Sequence, residues 1–202
     1  MKAEEYSWFA DRFPYLEVGY CLTLVKNLDR TTALQRIETE SVGRVTGALE
    51  FVELADRHFW AGQQQGRYFM GATDLGDWTL LVEANGFLGT RPEVIGPLSA
   101  DTQVVSHYRN IDAEDRFCWM VDGDLRLSFE PLFPYHRSGS DPDGQVEAMK
   151  DAGFDLRAGE DRDYTLHSEA AFALAERLTG VRLTAELLES ADYLCGMVPL
   201  KR

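Results

Sequence analysis

The chain has 202 residues, a hydrophobic content of 45%, and 34 acidic against 20 basic residues, which gives a formal net charge of −14. This length and composition are typical of one folded domain over residues 1–202 and exclude an intrinsically disordered chain. A negative field of this size repels phosphate backbones and anionic bilayers, so neither a nucleic acid nor a membrane is an expected partner. It favours encounter with basic proteins or cations.

The three cysteines, Cys21, Cys118 and Cys195, are odd in number and far apart in the sequence. Such an arrangement favours neither a disulfide framework nor a zinc site, and it fits a reducing cytoplasm. The first residues lack the basic-then-apolar pattern of a secretory signal, and no apolar run approaches the roughly 20 residues that span a bilayer. We therefore expect a cytoplasmic, unexported protein without a bound metal or cofactor.

The first third of the chain predicts three helices and one strand. Apolar residues at helical spacing over 6–13 indicate an amphipathic helix that Pro14 ends, and 20–25 is a strand. Asp29 is suited to cap the short helix that follows. A further helix is expected over 45–60, with four apolar side chains facing inward: Leu49, Val52, Leu54 and Phe59.

The middle third has the composition of a sheet, because β-branched and aromatic residues lie in short runs separated by turn residues. The predicted strands lie near 67–73, 78–84, 102–109, 116–121 and 125–130, with a short helix around 92–98. Residues 78–82 are apolar at nearly every position, which is typical of a central strand that is covered on both faces.

The dipeptide Asp122-Gly123 predicts a tight hairpin, since a type I′ turn needs positive φ at both central positions. That turn pairs Met120 with Leu125. A three-residue loop would instead pair Trp119 with Leu127, which is the better match of side chains. The two registers place side chains on opposite faces, so the sequence predicts the hairpin and leaves its register open.

The last third predicts helices that begin at capping residues and end at glycines. Asp141 is suited to cap a helix that Gly153 ends, Ser168 one that Gly180 ends, and Thr184 a last short helix. Together the elements predict an α+β fold: an antiparallel or mixed sheet of about five to six strands, with helices from both termini packed against it.

Several segments resemble a family of uncharacterised single-domain proteins common in actinobacteria. They are ANGFLG at 84–89, VVSHYRN at 104–110, FEPLFP at 129–134 and RLTGVRLT at 177–184. The resemblance covers most of the chain. It implies a cytoplasmic actinobacterial protein and transfers no catalytic residue, because the family has no established activity. Genes of such families often lie among toxin–immunity or defence genes, so the resemblance also implies partner binding.

One group of polar residues is a candidate ligand-binding site. His107 and Arg109 alternate onto one strand face, Glu130 ends another strand, and His136 and Arg137 lie in the next loop, so these five can converge at one sheet edge. Imidazole, guanidinium and carboxylate groups supply acid, base and anion stabilisation. The spacing matches no catalytic signature. An active site, a polar pocket, and structural pairing of the arginines with carboxylates all remain open, and no residue is assigned as catalytic.

Other motifs give no site. The segment 86–89 is too short for a dinucleotide fingerprint, and 141–144 lacks the further carboxylates of a calcium loop. Among the tryptophans, we expect Trp8 and Trp60 rather than Trp78 to reach the surface.

Two functions follow from these observations. The leading hypothesis is an acidic cytoplasmic binding protein, such as an immunity-type inhibitor or a regulatory partner, that docks on a basic protein. This hypothesis predicts that acidic residues gather on one face of the molecule. The alternative is a small-molecule enzyme or ligand-binding domain that uses the five-residue group and predicts a concave pocket. The oligomeric state is left open.

Overall fold

The computed structural model describes residues 1–159 and 161–200. A single sheet runs through this part of the chain, and its strands are β1 Tyr20–Lys26, β2 Glu40–Thr46, β3 Arg67–Leu75, β4 Trp78–Ala84, β5 Gln103–Arg109, β6 Asp115–Val121, β7 Asp124–Phe129, β8 Arg137–Ser138 and β9 Asp192–Pro199. Their order across the sheet is β2-β9-β3-β4-β1-β5-β6-β7-β8. Every neighbouring pair is antiparallel.

The helices are α1 Trp8–Arg12, α2 Pro14–Glu17, α3 Arg30–Arg36, α4 Gly47–Gln64, α5 Pro92–Ser99, α6 Val146–Ala152, α7 His167–Thr179 and α8 Ala185–Ser190. Short 3₁₀ turns occupy Ala3–Tyr6 and Leu88–Thr90. Asp29 and Thr184 cap α3 and α8 through their side chains, as predicted. Gly153 and Gly180 end α6 and α7 in the left-handed conformation, which was also predicted.

The α+β class is confirmed and the sheet is antiparallel, but the expected five to six strands were too few. The structure has nine in the described residues, and β2, β8 and β9 are additional to the prediction. β2 forms one edge of the sheet and is largely exposed, with Val42 and Val45 only partly buried against the core. β8 has only two residues. β9 lies inside the sheet between β2 and β3, and most of it is buried.

Four helix predictions also need correction. Ser168 does not cap α7, because that helix begins at His167 and Ser168 lies inside it. The expected helix over 6–13 is divided between the first 3₁₀ turn and α1, and Pro14 begins α2 instead of ending a helix. The helix expected to begin after Asp141 begins at Val146, because residues 141–144 form a turn. α4 runs from Gly47 to Gln64, and its Leu49 is 58% exposed instead of facing inward.

The hairpin at Asp122-Gly123 contains both of the registers that the sequence left open. Both turn residues have positive φ, and Met120 pairs with Leu125 as the tight turn requires. A bulge then shifts the register, and Trp119 pairs with Leu127. A bulge adds one residue to one strand, so the turn chemistry and the side-chain matching are both satisfied.

The hydrophobic core has two parts, one on each face of the sheet. The larger part lies under the N-terminal turn and α1, α2, α4, α6, α7 and α8, and the smaller part lies under α3, α5 and the Leu88–Thr90 turn. In β4, Leu80, Leu81 and Val82 are each 1% exposed or less, which confirms a central strand covered on both faces. Among the described residues, no helix has the length and apolar character needed to cross a membrane.

Candidate functional site

Three side chains form a buried polar group between the sheet and the first turn of α7. They are His107 on β5, Asp115 at the start of β6 and His167 at the start of α7, and we call them the His–Asp cluster. Asp115 pairs across the strands with Arg109, so it lies on the same sheet face as His107. His107 is 2% and Asp115 3% exposed. The cluster is therefore almost completely removed from water.

His167 is held between two acceptors. Its Nδ1 lies 2.7 Å from the Tyr164 carbonyl oxygen, and its Nε2 lies 3.4 Å from Asp115 Oδ2. With Nδ1 donating to the carbonyl, a neutral ring would present its Nε2 lone pair to the carboxylate, whereas the protonated ring presents an N–H. Burial opposes the charged form, but the contacts with Asp115 and Tyr164 outweigh it and raise the pKa of His167.

His107 has the opposite tendency. Its ring is nearly perpendicular to those of Tyr20 and Phe172, and its Nδ1 lies 3.3 Å from the Tyr20 hydroxyl. Burial raises the pKa of Tyr20 far above its usual value, so the phenol donates to Nδ1. Burial also lowers the pKa of His107 to about 4, although Asp115 opposes this shift. His107 is therefore neutral near pH 7, whereas the pKa of His167 is shifted in the opposite direction.

Four polar atoms of the His–Asp cluster are buried without a hydrogen-bond partner: His107 Nε2, His167 Nε2 and both carboxylate oxygens of Asp115. The 3.4 Å contact between Asp115 and His167 is thus electrostatic and lacks hydrogen-bond geometry. Buried groups of this kind have the chemistry to exchange a proton or to hold a small polar molecule. Within the described residues, no group of three or more His, Cys, Asp or Glu side chains has the arrangement to bind a metal ion.

Arg109 and Glu130, two of the five predicted site residues, adjoin the His–Asp cluster. The Nη1 of Arg109 donates to Ser168 Oγ at 2.8 Å and lies 3.4 Å from Glu17 Oε1. Glu130 is half-buried, and burial, followed by the charge of Asp115, raises its pKa. The structure thus brings His107, Arg109 and Glu130 together, around Asp115 and His167.

Arg137 lies on the same sheet face but does not join this group. Strand pairing places His107, Phe117, Phe129 and Arg137 in one row across β5 to β8. Three strand spacings, about 14 Å, separate the ends of this row, and two phenylalanines fill the interval. Arg137 instead donates to Asp143 Oδ1 at 2.7 Å.

His136 also lies away from the cluster. It is exposed, and its ring centroid is 4.3 Å from that of Tyr135. The five predicted residues therefore divide into three at the His–Asp cluster, of which only His107 is fully buried, and two at the β8 edge of the sheet.

A small cavity of about 100 Å³ borders the cluster at His167. Arg162, Asp163 and Tyr164 also line it, and the guanidinium of Arg162 packs over the ring of Tyr164. Neither His107 nor Asp115 reaches this cavity. The volume is well below the roughly 300 Å³ at which ligand pockets begin, so the geometry favours a structural role for the cluster over substrate turnover.

A second feature lies on the solvent side of α4. The helix buries Ala48, Phe51, Val52 and Ala55 against the sheet. Its opposite side exposes six residues that we call the α4 outer face: Leu49, Glu50, Glu53, Asp56, Arg57 and Trp60. The steps of four, three and four residues from Leu49 through Glu53 and Asp56 to Trp60 follow the helical period, so these side chains form one stripe.

The α4 outer face combines apolar and acidic character. Trp60 is 72% and Leu49 58% exposed, both among the large apolar side chains that remain in water. Elsewhere arginines neutralise carboxylates, as Arg12 does for Glu189. Among the described residues, neither Glu53 nor Asp56 takes part in an ion pair. This face therefore keeps a local negative charge beside exposed apolar surface.

Sequence reasoning found part of both features. It identified His107 but missed Asp115 and His167. Asp115 could have been predicted, because the short loop 110–114 joins two strands and pairing across this loop places Asp115 opposite Arg109. Trp60 was correctly expected at the surface and Trp78, at 6% exposure, was correctly expected inside.

Fold and site together define a single-sheet α+β protein with a closed polar cluster and an exposed acidic helix face. Residues 1–202 match the family described as "Family of unknown function (DUF6461)", and the chain belongs to this family. This finding confirms the resemblance to an uncharacterised single-domain family, while the actinobacterial origin stays a prediction. No curated protein and no solved structure matches the chain.

Proposed function

We propose that this protein binds a basic protein partner through the α4 outer face. The observation that carries the proposal is the stripe on which Leu49 and Trp60 are exposed on the same side of one helix as Glu53 and Asp56. Tryptophan is the residue most enriched among interface hot spots, and exposed apolar surface rimmed by charges marks interaction sites. The apolar ends supply contact area, and the carboxylates select a positively charged surface.

The overall charge supports the same partner class. A net charge of −14 accelerates encounter with a cationic protein and repels an anionic one. An immunity-type inhibitor or a regulatory subunit of a basic protein fits this behaviour. We propose this role in a cytoplasmic setting, with association that weakens as salt concentration rises.

The small-molecule alternative has weaker support. His107 and Asp115 are buried, the adjoining cavity is small, and His136 and Arg137 lie apart from the cluster. A substrate would have to reach groups that the N-terminal turn of α7 covers. We therefore place the partner-binding proposal first.

Affinity purification from the native host tests the proposed function. The baits are the wild-type protein, the double variant Trp60→Ala/Asp56→Asn, and the matched control Ile111→Ala/Asp112→Asn. The control also removes one exposed apolar side chain and one exposed carboxylate, because Ile111 is 74% exposed and Asp112 lies beside it in a loop. A basic protein should be retained by the wild type and the control and lost by the α4 variant.

Capture alone is not sufficient, so the retained protein must also bind after separate purification. Retention of the same partners by all three baits would contradict binding through α4. So would a partner that is itself acidic.

A further inference from the structure

We infer that Trp60 and Asp56 form a subsite for an arginine guanidinium of the partner, carried on a helical segment that lies along α4. This inference rests on the proposed function and specifies its partner chemistry. It starts from the spacing of the two residues, which lie four positions apart on the exposed side of α4.

The helix geometry brings the indole and the carboxylate together. Residues at i and i+4 have Cβ atoms about 5–6 Å apart, and long side chains on a helix lean toward its N-terminus. The indole of Trp60 and the carboxylate of Asp56 are therefore close enough to contact one bound cation. Phe59 contacts the indole with ring centroids 5.1 Å apart and planes 84° apart, which restrains it, while 72% of Trp60 stays exposed.

A guanidinium is the cation that uses both groups at once. Its planar face stacks on an indole while its N–H groups donate to a carboxylate, whereas a lysine ammonium is a compact and strongly hydrated point charge. Trp is also the best aromatic partner for a cation. Asp56 and Trp60 thus offer one stacking surface and one acceptor within a single helical turn.

Arg57 lies on the same helical turn as this subsite, directly after Asp56. Glu53 and Arg57 are four residues apart with the acid N-terminal, the favourable orientation for an ion pair along a helix. No ion pair joins Glu53 and Arg57 in the described residues, but Arg57 is better placed to offset the charge of Glu53 than that of Asp56. Asp56 is therefore the carboxylate that keeps its charge for a cation beside Trp60.

Leu49 sets the length of the partner segment. It lies eleven residues before Trp60 on the same stripe, which corresponds to about 16 Å along the helix axis. A partner helix of about three turns spans this distance, with its arginine at Trp60 and an apolar residue at Leu49. Such a segment is basic and amphipathic.

Two synthetic 14-residue amphipathic peptides that differ only in having arginine or lysine at their basic positions test the inference. We expect the arginine peptide to shift the indole N–H resonance of Trp60 and to bind at least about threefold more tightly than the lysine peptide. Trp60→Leu should abolish the preference for arginine, Asp56→Asn should weaken both peptides, and Ile111→Ala/Asp112→Asn should change neither.

Three outcomes overturn the inference: equal affinity for the two peptides, an arginine preference that survives in Trp60→Leu, or no response of the Trp60 indole at millimolar arginine peptide. The failure of the proposed function is a separate result. If the purified native partner binds through α4 but binds equally well after its arginines are changed to lysines, only the guanidinium subsite is wrong. If that partner binds the α4 variant like the wild type, the proposed function itself is wrong.

Discussion

Asp115 and His167 join the sheet to the start of α7 through a contact of 3.4 Å between Oδ2 and Nε2, with the carboxylate side chain wholly buried. The bond from Arg109 Nη1 to Ser168 Oγ, 2.8 Å long, connects the same two elements one position further along the helix. The first turn of α7 is thus attached to the sheet by two polar contacts. The His–Asp cluster is therefore expected to contribute mainly to stability.

Replacing Asp115 with Asn should destabilise the fold, because it leaves a buried histidine without its counter-charge. Removing one partner of a buried pair costs on the order of 3 kcal/mol. The pKa of His167 should fall as well, since Asp115 is one of the groups that raise it. Urea denaturation at pH 6 and NMR titration of the His167 ring protons measure the two effects.

Asp151→Asn is the matched control for that variant. Its carboxylate is 67% exposed and lies 3.4 Å from Arg177, so the loss should be below about 1 kcal/mol. Equal destabilisation by the two variants would show that the buried contact contributes no more to the free energy of unfolding than the exposed one.

His107→Gln should remove a pH-dependent part of the stability. The folded pKa of His107 is about 4, below its usual value of 6.5, so the unfolded chain binds its proton first as the pH falls. The contribution of His107 to the free energy of unfolding is fully present above pH 6.5 and is lost as the pH falls toward 4. Between pH 7.5 and 5 the wild type should lose about 2 kcal/mol more than the variant. If the free energies of unfolding of the wild type and the variant, measured by urea denaturation, changed equally over this pH range, the expectation would be contradicted.

Glu83→Gln should show the opposite dependence. Glu83 is 1% exposed, burial raises its pKa to about 7, and the N–H groups of Leu88 and Gly89, which donate to its carboxylate, only partly offset this shift. Its contribution is fully present below the usual pKa of 4.5 and is lost as the pH rises through 7. The free energy of unfolding of the variant relative to wild type should increase by about 2 kcal/mol between pH 5 and 8. Thermal or urea unfolding at the two pH values measures it, and a constant difference would refute it.

Gly89→Ala should be destabilising, whereas Gly96→Ala should not. A Cβ at Gly89 would lie 2.6 Å from Cys21 Sγ and closer still to Thr23 Oγ1 and Ser106 Oγ, all of them buried. Overpacking of this kind costs about 1–3 kcal/mol. Apart from its chain neighbours, a Cβ at Gly96 inside α5 has nothing within 4 Å, but Pro97 follows it and disfavours a helical alanine, so the change should stay within about 0.5 kcal/mol. A melting temperature that falls as far for Gly96→Ala as for Gly89→Ala would contradict this account.

The sequence predicted the strands that carry a clear apolar pattern and missed those defined by their place in the sheet. β2 is an exposed edge strand with a bulge between Ser41 and Gly43, so neither alternation nor a continuous apolar run marks it. β9 does carry a signal, because the apolar residues 193–198 lie between Asp192 and Pro199. Its position between β2 and β3 depends on pairing with distant strands, which a local pattern does not contain.

The candidate site was predictable to a similar extent. Alternation along β5 correctly placed His107 and Arg109 on one face, but His167 comes from a helix that only the tertiary fold brings to the sheet. Arg137 was expected to join His107 but does not. It lies on the same sheet face, and two phenylalanines separate it from His107. Leu49 was expected inside as one of four apolar side chains of the helix over 45–60, and its exposure is known only from the packing of α4.

Trp60→Ala/Asp56→Asn should leave the fold intact and remove partner binding. Both residues are exposed on α4, and surface substitutions usually change the free energy of unfolding by no more than about 0.5 kcal/mol. A circular dichroism melt that matches the wild type would verify that any loss of binding reflects the surface and not the fold.

The central claim is that the α4 outer face binds a basic protein, and titration calorimetry of the purified partner tests it most directly. The titrations use the wild type, Trp60→Ala/Asp56→Asn and Ile111→Ala/Asp112→Asn at low and high salt. We predict that wild type and control bind alike and weaken with salt, and that the α4 variant binds at least about tenfold more weakly, as expected for loss of a hot-spot residue. Equal affinity of all three proteins, or binding that salt does not affect, would contradict the claim.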